Sequence, residues 1–181
     1  MLGSACVFSR AETMASNIEV RPATDSDIGA ITEIYAQHVR YGTTTFEIDA
    51  PDAEEMRRRF LEVQHRGLPY LVADARGEVA GYAYVAPYRS RHAYRFTVEN
   101  SVYVDSSRVG QRIGTQLIER LLPACHRAGV RQVIAIIGDS DNIASIRLHQ
   151  KFEFRYVGVL TNVGFKFDKW IDTVLMQRSL E

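Results

Sequence analysis

Residues 102–122 read VYVDSSRVGQRIGTQLIERLL, and this stretch decides the fold. An apolar strand passes through a polar turn with glycines at 110 and 114, then continues directly into an amphipathic helix. The first N–H groups of a helix have no partners within it and carry partial positive charge, so they suit a pyrophosphate. Arg108 and Arg112 add positive charge. The stretch predicts an anion-binding turn, although an ordinary strand-to-helix turn with glycines at positive φ fits the same residues.

Strand and helix patterns alternate on both sides of this stretch. Apolar, β-branched and aromatic runs predict strands at 18–21, 69–73, 78–86, 97–104, 131–137, 155–160 and 173–178. Helical spacing of apolar residues predicts helices at 28–39, 53–66, 110–128 and 142–151. Pro123 predicts a bend near residues 119–123, because a proline inside a helix removes one backbone hydrogen bond. We expect a mixed α/β sheet in a single domain.

Composition excludes several classes of protein. The 181 residues contain 46% hydrophobic and 24% charged residues, which is typical of a globular chain. Lys plus Arg and Asp plus Glu are both 22, so no basic excess favours nucleic acid or an anionic membrane, and no apolar run reaches 18 residues. Cys6 and Cys125 supply neither a disulfide framework nor a zinc motif. We expect a cytoplasmic protein without a metal, preceded at 1–17 by an extension that is disordered or introduced by cloning.

Three further segments carry a resemblance to a known family. They are RHAYRFTVENSVYV (91–104) with RVGQRIG (108–114), DNIASIRLHQKFEF (141–154) and VGFKFDKWIDTVLMQRSL (163–180). In order and spacing, residues 18–180 resemble the GNAT acetyl-CoA-dependent N-acetyltransferases, and within them the enzymes that acetylate phosphinothricin and methionine derivatives. The resemblance implies the GNAT fold over 18–181, with a mostly antiparallel central sheet flanked by helices.

The same resemblance implies a binding site for acetyl-CoA. The residues along the pantetheine arm would be Val102, Tyr103 and Val104, and those around the pyrophosphate Arg108, Gly110, Gln111, Arg112, Ile113, Gly114 and Thr115. Asn142, Ser145 and Lys151 would lie near the thioester. Two positions depart from the family pattern, because Arg112 replaces a glycine and Val109 replaces a Gln or Arg. We expect these changes to weaken pyrophosphate binding without abolishing it.

Acetyl transfer to an amine requires a base that removes a proton from the ammonium group. Glu99 interrupts an otherwise apolar strand, and desolvation in a closed cleft would raise its pKa. From the residues alone, a solvent-facing glutamate is the alternative, but the resemblance implies that Glu99 is the base and that His149 assists. Direct attack on the thioester is implied as well, so neither cysteine is expected to be a nucleophile.

Candidate acceptor-binding residues lie on both sides of this strand. Arginine matches carboxylate and phosphinate oxygens bidentately, so the loop 86–96 offers a clamp, although its arginines can equally be solvated. The resemblance adds the loop containing TTTFE (43–47). The predicted substrate-binding residues are Phe46, Arg89, Ser90, Arg91, Asn100 and Ser101.

These observations predict an N-acetyltransferase acting on the α-amino group of a small amino-acid-like substrate such as phosphinothricin or methionine sulfoximine or sulfone. Another amine, such as a protein N-terminus or a polyamine, is the first alternative, because fold does not fix function. A sensor that binds CoA without turnover is the second. The resemblance also implies a homodimer, to which the apolar segment 159–165 could contribute.

Overall fold

The computed structural model describes residues 18–181, so the predicted extension at 1–17 lies outside the described residues. The described chain forms seven strands, β1 (Ile18–Pro22), β2 (Tyr70–Ala75), β3 (Glu78–Pro87), β4 (Thr97–Val104), β5 (Gln132–Gly138), β6 (Arg155–Lys166) and β7 (Lys169–Ser179). Its four α-helices are α1 (Ile28–Tyr41), α2 (Ala53–His65), α3 (Ile113–Arg127) and α4 (Ile143–Lys151). Every predicted strand and helix is present.

The strands form one sheet in the order β1-β2-β3-β4-β5-β7-β6. Within residues 18–181, β4 and β5 are the one parallel pair, and all other neighbours are antiparallel. This confirms the predicted mixed, mostly antiparallel sheet. The parallel pairing extends only from Thr97 with Gln132 to Asn100 with Ala135. Beyond that point β4 continues along β3 and β5 continues along β7, so the sheet opens between them.

Each face of the sheet carries its own apolar core. On one face, α3 packs its buried residues, Leu117 and Leu121 among them, against β2–β5 and β7. On the other face, α1 and α2 cover a row of tyrosines on β2 and β3, in which Tyr70 stacks on Tyr84 at 4.9 Å between ring centroids. The opening between β4 and β5 is therefore bordered by α1 and α2 on one face and by α3 on the other.

Helix α3 begins three residues later than the sequence predicts. Gly110 and Arg112 have φ of 86° and 63°, which no right-handed helix accepts, so the first helical residue is Ile113. The helix continues through Pro123 to Arg127, and the bend there stays a prediction. In the described residues no helix has the length and apolar character needed to cross a membrane.

The last two strands are longer than predicted. Instead of ending at 160 and restarting at 173, β6 and β7 form a hairpin joined at Phe167 and Asp168, whose φ values are 52° and 57°. Two successive positive φ angles define the tight turn that matches the twist of antiparallel strands. Asp168 is a common residue in such turns, but Phe167 is not and no glycine is present, so the sequence pattern did not reveal the hairpin.

Candidate active site

A cavity of about 830 Å³ occupies the opening between β4 and β5, a size typical of small-molecule sites. Most of the predicted site residues line it, namely Phe46, Glu99, Asn100, Ser101, Val102, Tyr103, Val104, Arg108, Gly110, Arg112, Ile113, Gly114, Thr115, Asn142, Ser145, His149 and Lys151. Gln111, Arg89, Ser90 and Arg91 do not line it. The structure thus gathers four separate sequence segments around one cavity.

Several lining residues were missed by sequence reasoning. They are Tyr35 and His38 of α1, Tyr84 of β3, residues 135–138 of β5, Thr173 of β7, and Arg147 with its neighbours Ala144 and Leu148 on α4. Thr44 and Thr45 also line the cavity and belong to the loop 43–47 that the resemblance indicated. Alternation along β3 places Tyr84 on the same face as Tyr82, so its side could have been predicted from the sequence. The contribution of β5 arises from the opening of the sheet, which no local pattern encodes.

Glu99 lies on the face of β4 that is covered by α1 and α2. Its side chain is half-buried, and burial raises the pKa of the carboxyl, while the positive charge of Arg89 partly opposes the shift. The Glu99 charge in turn adds to the burial that raises the pKa of Tyr84. A carboxylate with a raised pKa is a stronger base than one in water, which suits it to accept a proton.

Asn100 and His149 form a buried pair on the opposite face. Their residues are 6% and 4% exposed, and Asn100 Nδ2 lies 3.0 Å from His149 Nε2. His149 Nδ1 lies 2.8 Å from the carbonyl oxygen of Ser145, which can only accept, so Nδ1 carries the proton and Nε2 accepts from Asn100. Burial lowers the pKa of the imidazole. Both ring nitrogens are therefore engaged in a neutral histidine.

The side-chain oxygen of Asn100 has no hydrogen-bonding partner in the part of the chain that the structure describes. This atom, Oδ1, is buried. A buried acceptor without a donor costs free energy, so such groups point to a ligand or water. Asn100 also lines the cavity, but the oxygen itself has almost no exposed surface.

The predicted anion-binding turn lies at one end of the cavity. Arg112 is the N-cap residue of α3, and its side chain does not cap the helix, so the first N–H groups remain available. Arg108 pairs with the carboxylate of Glu78. Gly114 faces α4, where an added Cβ would lie 3.0 Å from Leu148 Cδ2. Two of the predicted cofactor residues thus have a structural contact as well.

Asn142 and Lys151, two of the predicted cofactor-binding residues, also make contacts within the α4 segment. Asn142 is the N-cap of α4, and its side-chain oxygen accepts a hydrogen bond from the Ser145 N–H at 3.2 Å. The Lys151 ammonium lies 5.8 Å from the centre of the Phe152 ring. Because the cap uses Asn142 Oδ1, its amide nitrogen is the group that remains for a ligand.

Cys125 is remote from this chemistry. It is fully buried on α3 in the core, and burial raises the pKa of its thiol to about 12. A protonated, enclosed thiol cannot act as a nucleophile. Cys6 lies outside the described residues.

An open sheet with a helix N-terminus at one end of the cleft and a carboxyl of raised pKa within it provides an anion-binding end and a proton acceptor in one cavity. Residues 20–175 match the acetyltransferase (GNAT) domain family, and the chain belongs to this family. It is an N-acetyltransferase.

Curated relatives agree with this assignment. The chain is 53% identical over 161 residues to a phosphinothricin N-acetyltransferase of Alcaligenes faecalis, covering 89% of this chain and 82% of the relative. It is 36% identical to the L-methionine sulfoximine/L-methionine sulfone acetyltransferase of Salmonella typhimurium, covering 90% and 94% of the two chains.

A solved structure supports the same fold. The phosphinothricin acetyltransferase of Sinorhizobium meliloti, crystallised with acetyl-CoA, superposes with a TM-score of 0.86 at 41% identity and covers 90% of this chain and 88% of its own.

Proposed function

We propose that this enzyme transfers the acetyl group of acetyl-CoA to the α-amino group of a small amino-acid analogue such as phosphinothricin, methionine sulfoximine or methionine sulfone. The observation that carries the proposal is Glu99, a half-buried carboxyl of raised pKa that lines the cleft where the sheet opens. The identity to relatives named for these acceptors supports the choice of substrate.

The cleft fits acetyl-CoA. The half of β4 beyond Asn100 has no partner strand on the β5 side, which leaves Val102–Val104 beside the cavity for the amides of the pantetheine arm. The N-terminus of α3 and Arg112 would hold the pyrophosphate. When bound, acetyl-CoA supplies the acetyl group as a thioester. Asn100, whose Oδ1 lacks a partner among residues 18–181, would lie beside the same arm.

Glu99 acts on the acceptor. Its carboxylate accepts the proton of the substrate ammonium, directly or through one water, so that the neutral nitrogen can attack. Burial favours this step because it raises the affinity of the carboxylate for the proton. The charge of Arg89 opposes this shift and favours the ionised form of Glu99.

His149 serves as a positioning residue. Its Nδ1 donates to the carbonyl of Ser145 and its Nε2 accepts from Asn100, so it has no vacant nitrogen with which to exchange a proton. The geometry supports a role in which His149 fixes the amide of Asn100 beside the thioester.

Arg89, Ser90 and Arg91 precede β4 in an exposed loop outside the cavity lining. Arg89 stacks on Tyr88, with its guanidinium carbon 5.1 Å from the ring centre. From this rim they can bind the carboxylate and phosphinate oxygens of an acceptor whose amine reaches Glu99. In this proposal the loop arginines contact the acceptor from the rim of the cavity.

We also propose a homodimer formed through the β6–β7 hairpin. The hairpin exposes large apolar residues in β6 and β7, namely Tyr156, Val157, Leu160, Val163, Phe165 and Trp170. A cluster of this kind on a soluble chain indicates a contact surface. Sedimentation at increasing protein concentration should show a dimer, and a monomer at every concentration would contradict it.

Loss of thioester absorbance tests the function. The purified enzyme with acetyl-CoA is offered phosphinothricin, methionine sulfoximine, methionine sulfone, spermidine and a peptide with a free N-terminus. Preference for the first three supports the proposal. Preference for spermidine or the peptide would show that the acceptor is a polyamine or a protein N-terminus instead. If acetyl-CoA raises the melting temperature but no acceptor turns over, the chain is a CoA-binding sensor.

A further inference from the structure

The loop 43–47 brings Phe46 to the cavity and is bonded to several elements. Thr43 Oγ1 donates to Asp139 Oδ2, just after β5, at 2.8 Å. The hydroxyls of Thr45 and of Tyr35 on α1 lie 2.9 Å apart. These hydrogen bonds connect the loop to α1 and to the end of β5, on the face of the sheet where Glu99 lies.

The end of the loop is held by a second set of contacts. Tyr35 donates its hydroxyl hydrogen to Glu47 Oε1 at 3.0 Å, and Arg59 of α2 donates to the same oxygen at 2.7 Å. Phe46 lies between these fixed points. The position of the Phe46 ring is therefore set by the hydrogen bonds of Thr45 and Glu47 and by the residues that lie beneath the ring.

Lys166 holds the backbone next to Phe46. This β6 lysine is 4% exposed, and its Nζ donates to the carbonyl oxygen of Thr45 at 2.9 Å. A buried ammonium group is costly unless it is hydrogen-bonded. Desolvation lowers the pKa of Lys166, while the charge of Glu47 opposes the shift. The buried ammonium of Lys166 is therefore stabilised by its hydrogen bond to the carbonyl oxygen of Thr45.

Two glycines lie beneath the loop. A Cβ on Gly164 would meet Phe46 Cε2 and lie 2.8 Å from both Cδ2 and Cζ of the ring. A Cβ on Gly138 would lie 2.6 Å from the carbonyl oxygen of Thr43 and 3.2 Å from Phe46 Cε1. Real Cβ atoms do not approach so closely, so any side chain at these positions moves the ring or the loop. By contrast, a Cβ on Gly158, in the same strand as Gly164, meets nothing within 4 Å.

We propose that Gly164, Gly138 and Lys166 are positioning residues that hold the Phe46 ring as the wall of the acceptor end of the cleft, and that this wall sets which acceptor side chains fit. The inference rests on the proposed function, because it assigns the Glu99 end of the cleft to the acceptor. It predicts that disturbing the wall affects the acceptor and leaves the acetyl-CoA end unchanged.

Gly164→Ala tests the wall, with Gly158→Ala as the matched control. Gly164→Ala should raise the KM for the best acceptor about tenfold or more and leave the KM for acetyl-CoA within about twofold, because small displacements in a site have large kinetic effects. Phe46→Leu removes the ring atoms that the new methyl group meets, so in a Phe46→Leu background the change Gly164→Ala should have little further effect on the acceptor KM. An equal effect of both glycine variants, or an equal rise in both KM values, would overturn the proposal.

Lys166→Met gives a second test, with the exposed Lys169→Met of the same hairpin as its control. Loss of the Nζ bond should raise the acceptor KM in the first variant only. Backbone hydrogen exchange supplies a measurement that needs no turnover. Residues 43–47 should exchange faster in Lys166→Met and Gly164→Ala than in wild type and in both controls.

The two proposals can fail separately. If the wild type acetylates none of the amino-acid analogues, the proposed function fails, while faster exchange of 43–47 still supports the contacts beneath Phe46. If exchange is unchanged in both test variants, the positioning role fails whatever the wild type acetylates.

Discussion

Glu99 and Asn100 are neighbours on β4, yet they project to opposite faces of the sheet and have opposite electrostatic surroundings. On the α1–α2 face, Glu99 is half-buried near charged and phenolic groups, including Arg89 and Tyr84. On the α3–α4 face, Asn100 contacts a neutral histidine, and both residues are almost completely buried.

The difference follows from what each face has to do. A group that gains and loses a proton must keep some contact with water or charge, because a fully buried carboxylate would stay protonated. A group that only holds a ligand works best when it is neutral and fixed, since low dielectric strengthens its hydrogen bonds. The two faces of one strand therefore separate proton transfer from ligand positioning. Three predictions test this separation, and a fourth tests the turn before α3.

The largest effect is expected from Glu99→Gln. This variant should lower kcat/KM by about 10²-fold or more, because it removes the base without changing the shape of the side chain. In wild type, activity is lost as pH falls through the raised pKa of Glu99, and this acidic limb should be absent in the variant. Acetyl-CoA affinity should not change. An equal loss in the exposed Glu54→Gln, or an unchanged pH profile, would remove Glu99 from the mechanism.

Asn100→Leu should act on stability first. It leaves His149 Nε2 buried without its donor, which costs about 1–3 kcal/mol of the free energy of unfolding. Replacing both residues, as Asn100→Leu with His149→Phe, should cost less than the sum of the single changes, because no unpaired polar atom remains. Denaturant unfolding of the single and double variants measures the coupling, and simple additivity would mean that the pair does not interact.

His149→Gln should change how stability depends on pH. The pKa of His149 is lowered in the folded protein below its ordinary value of 6.5, so its contribution is complete above pH 6.5 and is lost as pH falls toward the lowered pKa. The melting temperature of wild type should fall more steeply than that of the variant as the pH drops below 6.5. Parallel curves would show that His149 does not titrate differently on folding.

The smallest effect concerns the anion-binding turn. Arg112 has a φ of 63°, a conformation that costs a residue with a Cβ more than it costs glycine. Arg112→Gly should therefore be more stable than Arg112→Ala by about 0.5–1 kcal/mol in denaturant unfolding. Both variants should bind acetyl-CoA about two- to fivefold more weakly at low salt, because both lose one positive charge near the α3 N-terminus. This reverses the expectation from the family pattern that Arg112 itself weakens pyrophosphate binding. Equal stability of the two variants would show that the strain at 112 is absent.

Much of this molecule follows from local sequence. The stretch 102–122 contains its strand, its turn and its helix in adjacent residues, and every element was found near its predicted position because apolar periodicity is a local property. The β6–β7 hairpin was only half predicted, since Phe167 and Asp168 adopt positive φ without the glycine that usually marks such a turn.

The sequence by itself determined the strands and helices of the mixed sheet, because each depends on residues close together in the chain. The candidacy of Glu99 came from the family resemblance, and the anion-binding turn stays a prediction. Only the tertiary structure decided that Asn100 meets His149, that Lys166 reaches Thr45, and that Gly164 lies beneath Phe46. These pairs join segments 49, 121 and 118 residues apart, as the numbering shows. Close packing selects them once the strands are in register, and no spacing along the chain encodes a contact across the sheet.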